Sequence, residues 1–86
     1  MKRTVCSVFD SAVSAFGQPI FVRAIGEGLR SFTDEVNRKA PDNALAAHPE
    51  DYVFHLLGTF DDETGKFDQL EARVLCRGKD VVQGGE

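Results

Sequence analysis

Eighty-six residues make a chain of single-domain size that buries only a modest share of its surface. Fourteen Asp and Glu against ten Lys and Arg leave a formal net charge of −4, which argues against a protein whose main work is blanketing phosphates. No apolar run is long enough to span a bilayer, and Asp10 interrupts the N-terminal segment before a signal-type apolar core can form.

Thr4 to Asp10 alternates weakly, is rich in Val and Phe, and predicts a first strand. Ser11 to Gln18 is a loop of small residues. Pro19 to Arg23 predicts a short second strand, with Pro19 at its start or on an edge because it has no amide to donate. Ile25, Leu29, Phe32 and Val36 then recur at helical spacing and fall within roughly 60° of a helical wheel. They predict an amphipathic helix from about Gly26 to Arg38. Pro41-Asp42-Asn43 is turn chemistry, and Ala44 to Ala47 suits one helical turn. His48-Pro49-Glu50-Asp51 redirects the chain.

Tyr52 to Phe60 predicts a third strand. Tyr52, Phe54, Leu56 and Phe60 form its core face; Val53, His55, Leu57 and Thr59 form the other. Asp61 to Gly65 is a hairpin loop in which Gly65 supplies a positive φ. Lys66 to Arg77 is a long fourth strand, bulged near Asp68 to Leu70. The element order β-β-α-β-β describes an α+β domain: an antiparallel four-stranded sheet with one amphipathic helix packed on one face. The domain covers residues 1–77, and the Gly-rich 78–86 reads as a flexible C-terminal tail.

Few residues suggest chemistry. Cys6 and Cys76 match no CxxC or zinc spacing and read as buried, reduced small hydrophobes in strand-like runs, with a disulfide between neighbouring strands as the alternative. The acidic loop lacks the alternating ligands of a calcium loop. His48 and His55 match no metal pair, and Glu50 and Asp51, adjacent in a turn, do not make an acid–base pair. Gly26-Glu27-Gly28 lacks the Lys-Ser/Thr of a phosphate loop. No catalytic residue, metal or cofactor is expected.

Two surfaces remain. If the first and last strands are neighbours, Lys2, Arg3, Arg73, Arg77 and Lys79 gather near one edge. Beside Phe9, Phe16 or Phe21 that edge could track a single strand's backbone and stack its bases. Scattered solubilising charges are the alternative, which the net charge favours. Val53, Leu57 and Leu75 make the uncovered sheet face half apolar, a self-association face for a domain marginal as a monomer.

Five segments in order carry a family resemblance. They are Ser7-Val8-Phe9-Asp10-Ser11, Phe16-Gly17-Gln18-Pro19-Ile20-Phe21, Gly26-Glu27-Gly28-Leu29-Arg30-Ser31-Phe32, His48-Pro49-Glu50-Asp51-Tyr52, and the run from Leu57 to Phe67. Together they resemble the small nonstructural protein of gokushovirus-type microviruses, phages with circular single-stranded DNA. Gly28 stands where that family more often has a better helix former, and the tail after Cys76 has no counterpart. The resemblance implies a nonstructural accessory protein acting in viral DNA replication, the switch to single-strand synthesis, or packaging. Some members are labelled DNA-binding, and no motif marks a catalytic residue. The expected protein is a non-enzymatic, homodimeric accessory factor in the cytoplasm of the bacterial host, away from membranes. It would bind single-stranded DNA or the replication and packaging machinery. The alternative is an adaptor that modulates a viral or host protein without touching DNA.

Overall fold

The first strand, β1 (Lys2–Asp10), is the hub of an antiparallel sheet. The computed structural model describes residues 1–83. Along one side β1 pairs with β4 (Tyr52–Asp61), from Lys2 opposite Asp61 to Asp10 opposite Tyr52. Its other side takes two short strands in turn. β2 (Ala15–Phe16) pairs with Phe9 and Asp10, and β3 (Ile20–Val22) with Thr4, Val5 and Cys6. Pro19 lies in the gap between them, where no ladder amide is needed. β5 (Lys66–Arg77) pairs with β4 and closes the order β2-β1-β4-β5. The sheet therefore has five strands. The additional one, β2, lies within the stretch read as loop: Ser14 takes a positive φ of 55° and turns the chain back so that Phe16 meets Phe9.

One face of the sheet is covered by α1 (Ile25–Val36). Its Phe32 and Val36 are buried with Cys6, Val22, Phe54 and Leu56, while Ile25 and Leu29 pack at the margin. The domain is α+β, as its pattern predicts. No side chain caps the first amides of α1 from Ala24. Instead the Glu27 carboxylate accepts from the Arg23 amide at 2.7 Å and from its guanidinium at 3.1 Å. Those contacts, the amide's first, hold the Glu27 carboxyl below its ordinary range.

At the far end of α1, two asparagines satisfy the orphan carbonyls that every helix leaves there. Asn43 is buried and donates to the Glu35 and Arg38 carbonyls at 2.8 and 2.7 Å. Its side-chain oxygen Oδ1 accepts from the Leu45 amide and caps the start of α2 (Ala44–Ala47). Asn37 donates to the carbonyls of Thr33 and Val81, and accepts from the Gln83 amide at 2.7 Å. This clamp corrects the reading of 78–86 as a free tail. Gly78–Val81 forms a helical turn, α3, whose Val81 packs against the core; 84–86 lie outside the described residues.

Gly78 is buried, and a Cβ there would collide with the Pro49 carbonyl oxygen and approach the Tyr52 oxygen to 3.2 Å. Gly78→Ala is therefore expected to lower stability by about 1–3 kcal/mol through overpacking against backbone. A urea melt that matches the wild type would show that α3 does not dock.

Two bulges reset the sheet's faces. Between Leu56 and Gly58, β4 carries Leu57 as an extra residue against the Val5–Cys6 step of β1. Beyond it the alternation changes phase, so Phe60 leaves the core face to which it was assigned and joins the opposite one. In β5, Leu75 is the extra residue between Val74, opposite His55, and Cys76, opposite Phe54. That bulge turns Leu75 toward the core, where it packs beside Cys76. Leu75 thus does not belong to the uncovered face. Cys6 and Cys76 lie on strands flanking β4, too far apart to bridge, and both are free thiols.

Candidate nucleic-acid interface

The uncovered face is set by the alternation of β1. Arg3, Val5, Ser7 and Phe9 point away from α1, and so do their cross-strand partners Phe60, Phe21, His55, Phe16 and Val53. Two aromatic clusters result. In the first, Phe16 meets Phe9 edge-on at 5.0 Å and His55 at 5.1 Å. In the second, Phe60 lies 4.7 Å from Phe67 and 5.5 Å from Phe21. Between them Ser7 is buried, its hydroxyl donating to the Gly17 carbonyl at 2.7 Å. The clusters are not sealed: Phe16, Phe21 and Phe67 are 43%, 45% and 67% exposed.

The basic residues do not share one edge. β4 separates β1 from β5, so the adjacency that would have gathered them is absent. Lys2 sits opposite Asp61 at the hairpin end, and Arg77 opposite Val53 at the other, roughly 25 Å away along the strand. Arg73 is opposite Leu56 and so lies on the α1 side, and Lys79 is in α3. Of the five, only Arg3 and Arg77 share the aromatic face, one beside each cluster. Arg3 is held by Asp62 at 3.2 Å, an exposed pair of small energy that a phosphate can replace. Of the proposed self-association set, Val53 lies on this face, Leu57 is the bulge residue, and Leu75 is turned away.

The acidic loop serves the fold. Asp61 accepts the Glu63 amide at 2.9 Å, and Gly65, at φ 76°, closes the turn onto the Asp61 carbonyl. Asp62 gathers the Met1 ammonium at 2.9 Å and the Arg3 guanidinium, which, the ammonium first, hold its carboxyl below the ordinary range. Beside this hairpin a groove mixes Lys2 and Lys66 with Asp61 and Asp68, so its charges offset one another. At the other end His48, Glu50 and Asp51 bring ligand atoms within 4.8 Å of one another, but His48 and Glu50 are exposed, and exposed acidic groups commonly cluster without an ion. His55 is far from that group in the aromatic cluster, with Nδ1 3.1 Å from the Val53 carbonyl. Among the described residues no helix is long and apolar enough to cross a membrane.

The sequence profile of the family described as Phage ORF5 protein matches residues 3–81. The chain belongs to that family. It is a small phage accessory protein of the microvirus type. A relative, Protein ORF5 of Chlamydia phage 1, is 29% identical over 83 residues, covering 93% of this chain and 81% of its own length. No solved structure matches. The match takes in both aromatic clusters, β5 and α3.

Sequence reasoning placed His55 on the uncovered face but missed Phe60 and Phe67 there. The pairing of Phe60 with Phe67 was within reach. A loop closed by Asp61 and Lys66 sets those two phenylalanines opposite each other.

Proposed function

We propose that this member of the family is a non-enzymatic accessory factor that binds single-stranded DNA inside the bacterial host during genome replication or packaging. It would do so with the sheet face opposite α1. The observation that carries the reading is the pair of aromatic clusters with exposed Phe16, Phe21 and Phe67 on one face, each cluster flanked by an arginine. Base stacking on exposed rings tolerates any sequence, and it does not require the large cationic surplus that this acidic chain lacks. Arg77 and Arg3 supply the phosphate contacts.

The charge distribution predicts an unusual salt dependence. Each phosphate neutralised on a single strand contributes about −0.7 to the slope of log affinity against log salt, so two arginines give about −1.4. Fluorescence anisotropy with a labelled oligothymidine of about 16 nucleotides, the upper end of single-module site sizes, is expected to show that shallow slope. Absence of binding at low salt would sink the reading. It would favour instead an adaptor whose acidic surface meets a viral or host protein. The exposed apolar residues Val13 and Val82 suit that second reading.

A further inference from the structure

The two edges of the sheet are built differently. The β2/β3 edge consists of two and three residues interrupted by Pro19, a broken edge that resists pairing. The β5 edge runs twelve residues without a proline, and among the described residues nothing pairs with its outer side. Phe67, Leu70 and Val74 stand exposed along it. Residues 70–72 lie opposite Leu57 alone in the β4 register, so there β5 is least committed to its own sheet.

We infer that β5 pairs antiparallel with β5 of a second copy of this chain, about a two-fold axis through Ala72. The charge pattern selects that register. Centred on Ala72, Glu71 of each copy faces the partner's Arg73, and Leu70 faces the partner's Val74. Moving the centre one residue either way sets Glu71 or Arg73 against itself, and like charges directly opposite are unfavourable. Half-residue shifts mismatch the sheet faces. They oppose Phe67, on the aromatic face, to Cys76 on the α1 side, or Asp68 on the α1 side to Arg77 on the aromatic face. The Ala72 register instead matches Phe67 with Arg77 on the aromatic face and Asp68 with Cys76 on the α1 side, while Gln69 meets the bulge residue Leu75 out of phase. Such an isologous seam uses one patch twice and closes after two copies.

The seam does not depend on the DNA reading, although it extends it. Arg77 of each copy arrives beside the partner's Phe67, and the two aromatic faces become one surface across a continuous sheet.

Sedimentation equilibrium of the full chain is expected to give a dimer of twice 9.4 kDa. Glu71→Lys and Arg73→Glu each place like charges at both symmetry-related pairs, and each should raise the dissociation constant at least about tenfold. The double variant E71K/R73E restores both pairs and should dimerise again. Far-UV circular dichroism reports whether each variant folds. Independently, Ala72→Cys should give a covalent dimer on mild oxidation, whereas Thr64→Cys in the hairpin loop should not. A wild type monomeric at its solubility limit overturns the inference. So do single variants that dimerise normally, a folded double variant that stays monomeric, or equal cross-linking at both cysteines.

Discussion

Phe54→Ala is expected to lower stability by about 3–5 kcal/mol, measured by urea or thermal unfolding. Phe54 is 1% exposed and stacks on Phe32 with ring centroids 5.0 Å apart and planes 14° from parallel. It is the side chain through which β4 meets α1, and Gly28 lets the helix backbone approach its ring: a Cβ there would lie 3.1 Å from the ring. Truncation would open a cavity on which Val22, Gly28 and Phe32 converge. A domain of this size has a total stability of roughly 4–13 kcal/mol, so the variant should be largely unfolded at modest denaturant. Phe67→Ala is the matched control: the same residue type at 67% exposure should stay within about 0.5 kcal/mol of the wild type. Equal losses at the two positions would mean that the core does not lie between α1 and β4.

The contrast between those two phenylalanines shows where the sequence speaks clearly and where it does not. Helical periodicity places Phe32 and Val36 in the core because α1 has one apolar stripe and nothing interrupts it. The Lys66–Arg77 strand is bounded on one side by a hairpin glycine and on the other by Gly78, and its limits are legible. Phe60 is not. Period-2 counting from Tyr52 carries it to the core face, but one extra residue at Leu57 inverts the count, and nothing in Leu57 itself announces a bulge. The same failure places Leu75 outside when it is in. The basic set failed for a different reason. Residue spacing says which strands exist but not which are neighbours, and the gathering of Arg3 with Arg77 rested on an adjacency that β4 occupies. The tail was misread because its order is long-range: Asn37, more than forty positions earlier, supplies the hydrogen bonds to Val81 and Gln83.

Phe21→Ala and Phe67→Ala are each expected to weaken single-stranded DNA binding by about 1–3 kcal/mol, or roughly fivefold to 150-fold, while the fold is retained. Both rings sit at the rim of their cluster, 45% and 67% exposed, so their removal leaves the core between α1 and the sheet intact. Phe21, Phe60 and Phe67 touch one another, with centroids 4.7 to 6.1 Å apart, so one stacked base can use more than one ring. The double variant should therefore lose less than the sum of the single losses. Arg77→Ala should behave differently. It removes one phosphate contact, so it should flatten the salt slope by about 0.7 and weaken binding evenly across base compositions. The two kinds of variant separate stacking from charge. If the affinity of F21A/F67A equals that of the wild type while R77A abolishes binding, the aromatic face is not the platform. The acidic chain would then hold DNA by a few cations alone, which the arrangement of charges on this sheet does not favour.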